Sequence, residues 1–145
     1  MYQGLVHAHS GIRWILLLFL VLSIVFALTK WIAKKPFWDD HKKLALYTFI
    51  SAHTQLLLGL ILYVISPKVI FSSVAMKDSV TRFFLVEHFV GMIIAIIAIS
   101  MGYIRAKKQG PENSAKTIFV YFTVALLIIL ASIPWPAMPY GAKWF

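Results

Sequence analysis

The chain contains no cysteine. That excludes disulfides, thiolate metal sites, iron–sulfur ligation and covalent c-type haem attachment. Charge is scarce too: 13% of the 145 residues are charged and only five are acidic, against 61% hydrophobic. A soluble domain of this size cannot leave so much apolar surface in water, so the composition points to an integral membrane protein of one domain. There is no internal repeat, no low-complexity segment, no Gly-rich phosphate loop and no Ser/His/Asp constellation. Those absences remove nucleotide-binding and serine-hydrolase readings. The net charge of +9 does not indicate nucleic acid, because the basic residues flank apolar runs, where they act as topology signals. Residues 1–6 hold no basic segment and no cleavage site follows a short apolar core, so the first span is expected to be retained.

Four apolar runs are present, at about 5–33, 44–65, 80–104 and 116–133. Each suffices to cross a hydrocarbon core of about 30 Å at about 1.5 Å per residue. Short connections predict an all-α, integral membrane four-helix up-down bundle, with the first and third helices diagonal and the second and fourth likewise. Lys34-Lys35-Pro36 ends the first run and Ser66-Pro67 the second. Ser79 is the expected N-cap of the third, Gly110-Pro111 follows it, and Pro134, Pro136 and Pro139 close the fourth.

The first and third loops with their flanks carry Lys30, Lys34, Lys35, Lys42, Lys43, Arg105, Lys107, Lys108 and Lys116. The opposite side carries Arg13, Lys68, Lys77, Arg82 and Lys143, and Arg13 falls inside an apolar run. This bias predicts both termini outside the cytoplasm, in a bacterial inner membrane. Val69, Ile70, Phe71, Val74 and Met76 suit the 68–82 connection to the membrane surface. The tail from Pro134 to Phe145 is proline-stiffened and aromatic, either an interfacial anchor or a cover over a site at that end.

Ionisable residues inside a span are costly and mark functional candidates. Here they are His9 with Arg13 in the first run, His53 in the second, and Glu87 with His88 in the third. His88 lies about 12 Å into its helix and His9 about 6 to 8 Å, while His53 lies about 20 Å from the corresponding end. His9 and Arg13, four apart, share a face; so do His88 and Met92, with the small residue Gly91 adjacent, and Gln55 and Gly59. A b-type haem requires neutral imidazoles on facing helices, an apolar slot and a cation for its propionates. His9 and His88 meet the first need and Arg13 the last, with His53 the alternative partner of His88 and Gly91 a point of close approach. Glu87 diverges from His88 by about 100° and is expected to pair with Arg13 or His53. Each group also has a plainer reading. His7 and His41, near helix ends, read as hydrated interfacial residues, and the deeper histidines can be satisfied interhelical hydrogen bonds.

His9-Ser10-Gly11-Ile12-Arg13-Trp14, His53-Thr54-Gln55-Leu56-Leu57-Leu58-Gly59 and Glu87-His88-Phe89-Val90-Gly91-Met92 together resemble the four-helix haem-bearing membrane modules. They resemble most one half of haem A synthase and the small membrane proteins called cytochrome b. The resemblance implies His9 and His88 as axial ligands and 55–59 as a close-packing element. The chain has one half where the synthase has two and lacks its cysteine pair, so haem binding carries over and haem oxygenation does not. The expected function is a membrane b-type haem protein that carries electrons, with the lipid bilayer, a quinol and other membrane redox subunits as partners. The alternatives are a cofactor-free accessory or assembly subunit of a larger membrane complex, and a proton path through Glu87 and His88.

Overall fold

The structure, a computed structural model, describes residues 1–141 apart from the side chains of Pro111 and Glu112. Four helices dominate it: α1 (Tyr2–Ile32), α2 (Trp38–Ile65), α3 (Ser79–Lys108) and α4 (Pro111–Ser132). A short 3-10 turn (Ser73–Lys77) lies between α2 and α3, and α3 contains one π-turn (Phe83–Glu87). All four helices are long and apolar enough to cross a membrane, with 18-residue windows of mean hydropathy from 1.7 to 2.5.

The helices extend beyond the apolar runs because hydropathy marks the membrane crossing, not the end of the hydrogen-bond ladder. α2 begins six residues earlier than the run at 44, at Trp38, where Asp39 and Asp40 in its first turn favour a helix N-terminus. α3 continues to Lys108, its last turn carrying Arg105, Lys107 and Lys108, which suit a C-terminus. α4 starts at Pro111, whose missing N–H costs nothing at a first helical position. The N-cap of α3 is Asp78, not Ser79: its carboxylate accepts from Thr81 N–H at 2.8 Å and from the Thr81 hydroxyl. The α1–α2 turn passes through Lys34, at φ 54°.

α1 packs against α2 and α4, and α3 against α2 and α4, so α1 and α3 stand diagonally. Ala27, Ala45, Ala52, Ala95, Ala106, Ala115 and Ala125 are buried where helices meet. Small residues let backbones approach, which drives association when both solvent and core are apolar. Leu20, Ile99, Ile118 and Phe122 fill the centre, while Leu18, Leu57, Val64 and Leu127 point outward, as lipid-facing side chains do. One polar pair crosses the core: the hydroxyls of Ser23 (α1) and Thr48 (α2) lie 3.0 Å apart. The first residues of α1, the 66–78 connection and the residues after α4 share one end, here the terminal end. The α1–α2 and α3–α4 turns share the other, basic end.

Candidate functional site: two facing imidazoles

His9 on α1 and His88 on α3 face each other across the bundle, ring centroids 6.4 Å apart and planes at 72°. Depth and diagonal placement bring them together. Each ring is set by a neighbouring helix. The Ser132 carbonyl (α4) can only accept, so His88 Nδ1 donates to it at 2.7 Å, which leaves the Nε2 lone pair available. The His9 backbone carbonyl accepts from Gln55 Nε2 (α2) at 2.8 Å. Gly59, one turn beyond Gln55, leaves room for the His9 ring: a Cβ there would lie 3.3 Å from its Cε1.

The two rings stand in a cavity of about 180 Å³ between the helices. Its walls are aliphatic and aromatic, and Arg13, one turn from His9, and Lys68, at the terminal end, also line it. Among the described residues no acidic side chain does. Two polar atoms nearby are buried without a hydrogen-bond partner, His9 Nδ1 and Gln55 Oε1. Buried orphan atoms are rare in folded proteins and point to something that completes the site.

The remaining candidates lie elsewhere. His53 donates from Nδ1 to the carbonyl of Phe49 in its own helix at 2.8 Å, lies tilted against the Phe49 ring, and meets Ser100 of α3 at 3.5 Å. Gly91 faces α4, where a Cβ would overlap the Ser132 hydroxyl, so its smallness serves helix contact and not the cavity. Glu87 is exposed and pairs at 2.9 Å with Arg82 in its own helix, not with Arg13 or His53. Residues five apart lie about 140° apart on an α-helix and do not meet; the π-turn between these two brings them together. His41 packs between Phe26 and Phe37 at the basic end, and His7 is exposed.

Three contributors carry no sequence signal: the Ser132 carbonyl, the π-turn, and Tyr63, whose hydroxyl donates to the Leu85 carbonyl inside that turn at 2.9 Å. The tail folds back at the terminal end. Trp135 Nε1 donates to the Leu130 carbonyl at 2.9 Å, and Tyr140 stacks on Phe83 at 3.8 Å and 11°. Lys143, Trp144 and Phe145 lie outside the described residues.

Among the described residues no three histidine, aspartate or glutamate side chains come together as metal ligands. Two imidazoles fall short of the four donors that a structural zinc ion takes. Two facing imidazoles would suit a metal group that brings its remaining ligands with it. The cavity volume is below the roughly 300–1,000 Å³ of ordinary ligand pockets, so a macrocycle would require Leu56, Met92 and their neighbours to turn aside. Methionine is well suited to such movement. Comparison with known protein families, with curated proteins and with solved structures finds no match.

Proposed function

We propose that this chain is a small membrane b-type haem protein that carries electrons, and that His9 and His88 would hold the haem iron. The observation that carries the reading is the pair of imidazoles from diagonal helices, set 6.4 Å apart in a largely apolar cavity that Arg13 and Lys68 also line. The haem would supply one-electron redox chemistry. The chain's own residues hold and insulate. The Ser132 carbonyl keeps the His88 proton on Nδ1, Gln55 secures the His9 backbone, and Gly59 gives the ring its space. Arg13 and Lys68 favour a ligand that bears carboxylates. Gly91 and His53 support the site from outside the cavity, through helix contact.

On the lysine and arginine bias the site lies in the outer half of a bacterial inner membrane, with both termini outside the cytoplasm. A quinol and a membrane redox subunit are the partners that suit such a place. The exposed Glu87–Arg82 pair gives no support to a proton path. The test is the haem content of protein purified from haem-supplied cells. Wild type should hold haem in proportion to protein. His9→Ala and His88→Ala should lose it, and His53→Ala should keep it. Haem-free wild type, or ligation indifferent to both histidines, would overturn the reading and leave a membrane subunit whose buried polar groups hold the bundle together.

A further inference from the structure

α3 is not regular where it reaches the site. His88 N–H donates to the Phe83 carbonyl, an i→i−5 bond, and residues 83–87 form a π-turn. Such turns cost regular α-helical bonding and are frequent at functional sites. In an α-helix Phe83 would lie about 140° from His88, on another face. In this structure both preceding phenylalanines flank the imidazole, with ring centroids 5.9 Å (Phe83) and 6.2 Å (Phe84) from it. Phe83 is 2% exposed. Its outer face is covered by Tyr140 of the tail, and Phe84 carries the Lys68 ammonium 4.9 Å above its ring. The Arg82–Glu87 pair, also five residues apart, reports the same change of register.

One side chain from another helix reaches into this turn. The Tyr63 hydroxyl donates to the Leu85 carbonyl, while its ring stacks on Phe89 at 4.3 Å and meets Phe71 edge-on at 5.4 Å. The ring is thus anchored independently of the hydroxyl. The hydroxyl ties α2 to a carbonyl in the least regular part of α3.

We propose that Tyr63 is a positioning residue that locks the π-turn, and that the locked turn wraps His88 in Phe83 and Phe84 and seals the paired imidazoles from water at the terminal end. Tyr63 touches neither imidazole; it acts through the turn. The proposed seal rests on the aromatic packing around His88. Its consequence for redox chemistry rests on the haem reading above: opening the seal raises polarity around the site and lowers a haem's midpoint potential.

The experiment is deuterium exchange at the imidazole C2 position of each histidine, read by mass spectrometry on the purified full chain in detergent. It reports water access to the ring and needs no haem. In wild type His88 should exchange far more slowly than the exposed His7. Tyr63→Phe removes only the hydroxyl and should speed exchange at His88 several-fold while His7 and His53 keep their rates. An unchanged His88 rate would overturn the proposal. If every histidine accelerates together, the bundle has loosened, and Phe83→Leu decides: it keeps the Tyr63 bond but removes the aromatic cover. Acceleration confined to His88 in that variant supports the seal, and no change there overturns it. A flat visible spectrum would refute the haem reading alone and leave the exchange result standing.

Discussion

His88 takes its orientation from the backbone of another helix: its Nδ1 donates to the Ser132 carbonyl at 2.7 Å. The acceptor sits on the last residue of α4, where backbone carbonyls have no partner within the helix. One bond therefore satisfies a helix end and fixes a tautomer. It also makes the site depend on how closely α3 and α4 approach.

Gly91 controls that approach. A Cβ at this position would stand 3.0 Å from Ser132 Cβ and overlap its hydroxyl. Gly91→Ala should destabilise the bundle by about 1–3 kcal/mol, the range for overpacking. It should also displace the Ser132 carbonyl from His88. Gly102→Ala is the control. Its Cβ would meet Tyr121 Cβ at 2.6 Å at the other end of the same interface, so it should lower thermal stability and leave His88 in place. Melting in detergent, compared with haem retention, separates the two.

Gly59 acts on the other ring. Gly59→Val would place branched carbons where His9 Cε1 now lies, 3.3 Å from the Cβ position. Helical content by circular dichroism should stay near wild type, and haem retention should fall. Retention equal to wild type would show that His9 does not need this space.

Gln55→Leu removes the 2.8 Å bond to the His9 carbonyl. A net loss of about 0.5–1.5 kcal/mol is expected from one such bond, measured by unfolding in a denaturing detergent. Ser23→Ala, which breaks the hydroxyl pair with Thr48, should cost a similar amount. Only the Gln55 change should alter the visible spectrum.

Asp78 gives the start of α3 a pH dependence. Hydrogen bonds from the Thr81 hydroxyl, then from the Thr81 backbone N–H, hold its carboxyl below the usual carboxylate range. A depressed value means that the cap's contribution is fully present above the unfolded value of about 3.9. It is lost as pH falls through the lower folded value. Amide exchange at Thr81 and Arg82 should stay slow down to about pH 4 and quicken below it, relative to residues in mid-helix, and Asp78→Ala should show the quick exchange at all pH values.

The four crossings and the diagonal order were legible because apolar runs of membrane length separated by lysines and prolines admit few arrangements. The His9–His88 pairing was legible in part: depth favoured it, but depth alone did not exclude His53. His53 bonds to Phe49 one turn back in its own helix and meets Ser100, twelve residues beyond His88 along α3, so it does not reach the cavity. The partner of Glu87 was not legible, since Arg82 five residues away is out of reach on the regular helix that periodicity assumes. The same π-turn hid Phe83 and Tyr63. Gly91 and Gly59 look alike in sequence, each beside or one turn from a polar group. Only the three-dimensional neighbours, Ser132 and His9, separate helix contact from ring space.

The measurement that tests the account most directly is the dithionite-reduced minus oxidised visible spectrum of the detergent-purified chain from cells supplied with haem. The account predicts sharp reduced α and Soret bands of a bis-imidazole haem, lost in His9→Ala and in His88→Ala. A flat spectrum from folded protein, unchanged when haem is added, would contradict it.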